Sequence, residues 1–154
     1  MFCVNKHKNN VRLWKKFARY HEGFCIGFDT KFIFNDENIF GSCGKVDYYC
    51  EKKPPKVNPL SRSKNEAISK MLKVIYSLPR KFKGEDEFRF AKMNINNRQV
   101  NFPTSAVKEI ILGSSITKSN KNEIIKIVKA KFTTASITQA KYDETLDYVV
   151  FNEI

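Results

Sequence analysis

The sequence predicts an α+β fold: one domain, residues 1–154, built on a mixed, mainly antiparallel sheet with three to four helices. Three observations carry this. Alternating apolar and polar residues, the signature of a half-buried strand, run over 85–91, and short stretches such as 110–112, 136–142 and 148–151 also read as strands. Helical periodicity appears elsewhere, behind cap signals, at 11–21, 63–77 and 121–131. The two kinds of stretch alternate irregularly, with no internal repeat and no linker long enough to divide domains.

Residues 1–4 read as a short strand. Asn9 and Asn10 offer an N-cap for a helix over 11–21. Val11, Trp14, Phe17 and Ala18 form its apolar stripe, with Arg12, Lys15, Lys16 and Arg19 opposite and Gly23 at its end. Trp14 reads as a core anchor and His21 as a hydrogen-bonded structural residue near the helix end. Residues 23–29 read as a buried strand in which Gly27 marks a close backbone approach or a bulge. Residues 30–40 are open between loop and short helix. A turn over 41–44 precedes a strand over 45–50, with Val46 and Tyr48 on one face. Pro54, Pro55 and Pro59 make 52–61 a loop. Ser63 and Glu66 have capping-box spacing, opening a helix to about residue 77. Its inward stripe is Ala67, Ile68, Met71, Leu72 and Ile75, which leaves Lys64, Lys70 and Lys73 on the wet side. Pro79 bars its continuation.

The next strand starts at Glu85, so Glu85, Glu87 and Arg89 share one face. Residues 94–97 form a turn and 99–102 an extended segment. Ile110, Ile111 and Leu112 make a short buried strand closed by Gly113. Asn120 and Glu123 cap a helix over 121–131 with Ile124, Ile127 and Val128 inside, and 136–142 and 148–151 are a last antiparallel pair.

Composition narrows the function classes. Hydrophobic residues make up 42% and aromatic ones 13%, which is a globular composition and not a disordered one. No apolar run approaches the roughly 20 residues of a membrane helix, and the basic N-terminus has no apolar core of a signal peptide. A cytoplasmic location without a membrane partner is expected. Cys3, Cys25, Cys43 and Cys50 include no C-x-x-C pair, so zinc is poorly supported and reduced thiols are expected. The net charge is +12, and residues 52–83 carry ten basic side chains against Glu66 alone. Such asymmetry attracts nucleic acid or another polyanion. A lysine-rich solvated surface explains the same charge without a partner, and the 22 Lys against six Arg weaken the case for specific phosphate forks.

The stretch from Leu13 through Trp14, Ala18, His21, Gly23, Cys25, Ile26, Phe28 and Asp29 resembles the signature of a bacterial and phage family, domain of unknown function 2971. Leu13 and Phe17 stand where that family has Met and Tyr. Val46-Asp47-Tyr48 resembles its Val-x-Tyr strand and Glu85-Asp86-Glu87-Phe88-Arg89 its Glu-x-Glu-x-Arg, with Phe82 and Gly84 where it often has Trp and Tyr. Lys108-Glu109-Ile110-Ile111-Leu112-Gly113 matches its late Lys-Glu-Ile-Ile-x-Gly. The resemblance implies the C-terminal portion of the family domain, with an N-terminal part absent. That would leave an open sheet edge and a route to self-association.

Three functions fit these residues. The Glu-x-Glu pair resembles the carboxylate motif of ADP-ribosyltransferase-type enzymes, where a carboxylate stabilises the oxocarbenium character that develops as nicotinamide leaves. Glu85 and Glu87 would then be catalytic, with NAD as cofactor and Trp14, His21 and Arg89 binding, but the shortened chain by itself is expected to show no turnover, because the rest of such a site would lie in the absent N-terminal part. Alternatively, Lys70 and Lys73 belong to a nucleic-acid surface. In the third reading Glu85, Glu87, Arg89, His21 and Trp14 form a self-satisfied structural network. The first and third readings expect these residues to converge.

Overall fold

The computed structural model describes residues 1–31, 40–57, 60, 63–92 and 99–154. In chain order the elements are β1 (Phe2–Asn5), α1 (Val11–Phe17), β2 (Phe24–Phe28), β3 (Ser42–Lys45), β4 (Asp47–Tyr49), α2 (Lys64–Ile75) and β5 (Ser77–Pro79). A 3-10 turn (Arg80–Glu85) leads into β6 (Glu87–Ala91). A second 3-10 turn (Thr104–Ala106) is followed by β7 (Val107–Leu112), α3 (Lys118–Lys131), β8 (Ser136–Asp143) and β9 (Tyr148–Glu153). The α+β class and the mainly antiparallel pairing hold, but the described strands form three sheets and not one. Among the described residues no helix is long and apolar enough to cross a membrane. The contacts gather in two compact units.

Unit 1 comprises Met1–Lys6 and Gly41–Met93. Its antiparallel sheet has the order β1-β6-β3, and a separate parallel pair joins β4 to β5. Gly41 to Gly44, expected as a turn, instead lead into β3. Val46, 2% exposed, separates β3 from β4 by donating its N–H to the Glu87 carbonyl at 3.0 Å. Ser63 caps α2 as expected, its hydroxyl accepting from the Glu66 N–H at 3.2 Å. The expected inward stripe of α2 is only half-buried, and Met71 is 40% exposed.

Unit 2 comprises His7–Phe40 and Asn94–Ile154. Its sheet has the order β2-β7-β8-β9, with β7 and β8 parallel and joined through α3, and the outer pairs antiparallel. Side chains alternate across this sheet. Ile111 therefore packs with Trp14 and Ala18 of the α1 segment, while Ile110 and Leu112 pack with Val128 of α3. The result is a sheet between two helices.

Five expectations are corrected in unit 2. The first helix stops at Phe17, because Arg19, Tyr20 and His21 take left-handed backbone angles with φ of 45°, 55° and 71°. Phe17 is 68% exposed with Lys16 over its ring, outside the stripe expected for it. Strand β2 is a sheet edge and not a buried strand, with Phe24 and Ile26 exposed. The bulge expected at Gly27 is present as a register shift between Gly27 and Phe28. Thr117, rather than Asn120, caps α3 by accepting from the Asn120 N–H at 3.2 Å, and Ile127 is 44% exposed. The expectations for a helix within 30–40, for Pro59 and Ser61, and for a turn at 94–97 fall wholly or mostly outside the described residues.

Candidate functional site

In unit 1 the motif carboxylates split. Asp86 adopts a left-handed conformation, φ 42°, which closes the 3-10 turn and places Glu85 outside the strand. Glu85 is buried in that turn, and its carbonyl accepts from the Asn5 side-chain amide. The expected shared strand face therefore holds Glu87 and Arg89 alone. Their contact is a bidentate fork, with Arg89 Nε donating to Glu87 Oε1 at 2.9 Å and Arg89 Nη2 to Oε2 at 3.0 Å. The remaining guanidinium arm, Nη1, donates to the Ile75 carbonyl at the end of α2. The Tyr48 hydroxyl accepts from the Glu87 N–H at 2.9 Å.

Register places Cys3 and Gly44 on either side of Arg89. The Tyr76 ring covers Gly44, and its hydroxyl lies 2.8 Å from Ser42 Oγ. The Glu87 fork holds the Arg89 guanidinium above its usual range. Desolvation, followed by the Glu87 carboxylate, pushes the Cys3 thiol up to about 11. Cys3 is thus a protonated thiol at neutral pH and a poor nucleophile. Arg89 and Glu87 satisfy each other as a buried charged pair must.

In unit 2 the His21 ring is 3% exposed and stacked between Trp14 (centroids 5.7 Å apart, 7°) and Tyr142 (4.5 Å, 18°). The indole N–H donates to the Lys8 carbonyl at 2.7 Å. The hydrogen bond expected for His21 is not made: among the described residues neither ring nitrogen has a partner. Beyond Tyr142 lies a charged cap, with Lys15 Nζ over its ring at 5.2 Å and its hydroxyl donating to Asp147 at 2.6 Å. Lys15 also donates to Asp147 at 2.8 Å. Burial, then the Lys15 charge, pull His21 below its ordinary value, while Asp147 acts in the opposite direction.

Trp14 and His21 are therefore brought together in unit 2, and Glu85, Glu87 and Arg89 lie in unit 1, each group with its own partners. Tyr142, Asp147, Tyr76, Cys3 and Ser42 escape sequence reasoning because they reach these clusters from distant segments. Tyr48 carried the one usable signal, its place in the Val46-Asp47-Tyr48 strand. Lys73 is exposed, whereas Lys70 pairs with Glu66 at 2.5 Å. Among the described residues no group of His, Cys, Asp and Glu is arranged to hold a metal ion.

Fold and site define an α+β protein with a paired Glu87–Arg89 cluster in unit 1 and an aromatic stack around an unpartnered His21 in unit 2, on a basic chain. It belongs to the family described as Protein of unknown function (DUF2971), which it matches over residues 13–148. No curated protein and no solved structure matches the chain.

Proposed function

We propose that the chain is a nucleic-acid-binding module that uses a basic surface of unit 1, and that Glu85 and Glu87 serve its structure and not catalysis. Unit 1 holds fourteen basic and six acidic side chains, a net charge of +8 out of the whole chain's +12. The observation that carries the reading is the parallel pairing of β4 with β5, which ends at Tyr49↔Pro79. Two parallel strands release their chains at the same end. Lys52 and Lys53 therefore emerge beside Arg80, Lys81 and Lys83, and all five are exposed. Glu51 ties the two segments together through Lys81 at 3.5 Å. Five cations against this one acid make a local field suited to phosphates. The NAD reading lacks such support, since a carboxylate held at both oxygens by Arg89 is not poised to stabilise a ribosyl cation.

Fluorescence anisotropy of a labelled single-stranded oligonucleotide across a salt series tests the proposal. Binding should weaken steeply with salt, and Lys81→Glu with Lys83→Glu should lower the log–log slope by about 2. Lys73→Glu should weaken binding more than Lys70→Glu, because Lys70 is already paired. No binding at low salt rejects the proposal. Nicotinamide release from NAD that disappears in Glu87→Ala would replace it with the enzymatic reading.

A further inference from the structure

We propose that β2 is a homodimerisation edge, pairing antiparallel with β2 of a second copy about Cys25. Strand β2 is an outer strand of its sheet and presents Phe24 (47% exposed) and Ile26 (41%) on the α3 side. The backbone phase is set by the bond from Gly113 N–H to the Gly23 carbonyl at 2.8 Å. Hydrogen-bonded and non-hydrogen-bonded pairs alternate in an antiparallel ladder. With Gly23 turned toward β7, Cys25 is turned the same way, and the N–H and C=O groups of Phe24 and Ile26 point out at the open edge.

This phase selects a second copy as the occupant. Pairing about Cys25 sets Phe24 opposite Ile26 of the second copy and Ile26 opposite its Phe24, giving two hydrogen-bonded pairs in an isologous interface. A cleft of about 350 Å³ beside Phe24, with Ile116 and Ile124 on one side and the charged Arg19, Glu22 and Glu123 around it, leaves room for the incoming Ile26. The bulge at Gly27/Phe28 ends the regular edge and fixes the register. Edges that must stay unpaired usually carry lysine. In a chain with 22 Lys, β2 itself carries no charge, so no like charges face each other across the paired strands. The two Cys25 residues then form a non-hydrogen-bonded pair with Cα atoms about 4.5 Å apart, inside the roughly 4.4–6.8 Å window of disulfides.

The experiment uses the full chain with Cys3→Ser, Cys43→Ser and Cys50→Ser, at an ionic strength that screens its charge. Sedimentation velocity over a concentration series should show a reversible dimer that Ile26→Lys weakens by at least about tenfold, with the melting curve retained. Diamide takes up the two electrons and two protons released when two thiols join, and should trap a covalent dimer through Cys25. If Ile26→Lys does not fold, the Cys25 cross-link decides. A monomer at every concentration with no Cys25 cross-link overturns the proposal. So does a ladder of higher oligomers, which would signal head-to-tail pairing of β2 with β9. Oligonucleotide binding, carried by unit 1, is read separately from either result.

Discussion

An imidazole held between two aromatic rings, away from water, resists protonation, and that resistance appears in stability. His21 has its value lowered in the folded chain by burial and by Lys15, with Asp147 partly offsetting them. The unfolded chain titrates near 6.5. Below that value the unfolded state binds a proton that the folded state refuses, so stability falls as pH drops from about 6.5 toward the lower folded value. Thermal melts from about pH 8 to about pH 5 should show this decline, flattened in His21→Asn. Asn tolerates the left-handed backbone at that position, though loss of the stacked ring lowers the melting temperature throughout. An unchanged pH profile in the variant would show that His21 is not the titrating group. At Glu87 the expectation is larger. Glu87→Ala would leave the Arg89 guanidinium, whose side chain is 9% exposed, without its counter-charge. Losing one member of a buried pair destabilises by about 3–5 kcal/mol. Urea unfolding measures it, and replacing both residues together, Glu87→Leu with Arg89→Met, should recover most of the loss. Wild-type stability in Glu87→Ala would contradict the structural role.

At the level of elements, Gly113 shows how much hangs on one missing side chain. A Cβ there would lie 2.0 Å from the His21 carbonyl oxygen and 2.6 Å from that of Gly23, both backbone atoms that cannot rotate aside. Gly113→Ala should therefore break the bonds from Gly113 N–H to Gly23 and from Ser115 N–H to His21. Circular dichroism should find this variant unfolded or melting far below the parent, and an unshifted melt would refute the account. In the sequence, Gly113 was legible as the stop of a buried strand, but the turn it accommodates lies far away along the chain. The same limit explains the first helix. Its start followed from periodicity, yet its end depends on left-handed angles at Arg19, Tyr20 and His21, residues that local rules do not assign there. Asp86 did the same to Glu85. Strands β7, β8 and β9 were legible from short stretches rich in β-branched and aromatic residues, such as Ile110-Ile111-Leu112 and Tyr148-Val149-Val150-Phe151. Strand β2 looked buried because its composition is apolar, and composition does not say which strand is outermost.

For the whole chain, the +12 charge was plain in the sequence, and so was its concentration over 52–83. What composition could not supply was the parallel β4–β5 pair that brings two separate basic runs to one end. Unit 2, with fourteen basic and ten acidic side chains, keeps only +4. Charge reversal at Lys81 and Lys83 should accordingly reduce oligonucleotide affinity more than reversal at Lys126 and Lys129 of α3, measured side by side at one salt concentration. Equal losses would mean that net charge, rather than the unit 1 surface, governs binding. The convergence of Glu87 with Arg89 was likewise readable from their two-residue spacing. The His21 stack was readable only as far as Trp14, because Tyr142 comes from the opposite end of the chain.

The indole in that stack is the chain's single tryptophan. Its emission is therefore an optical label for unit 2 alone, placed without chemistry. A protonated imidazole quenches a neighbouring indole by accepting an electron from its excited state, so Trp14 brightness reports both the integrity of the unit and the charge on His21. Loosening confined to unit 1 would be dark to this signal, although far-ultraviolet ellipticity would register it. A denaturation curve followed by both probes thus separates the two units with no label added.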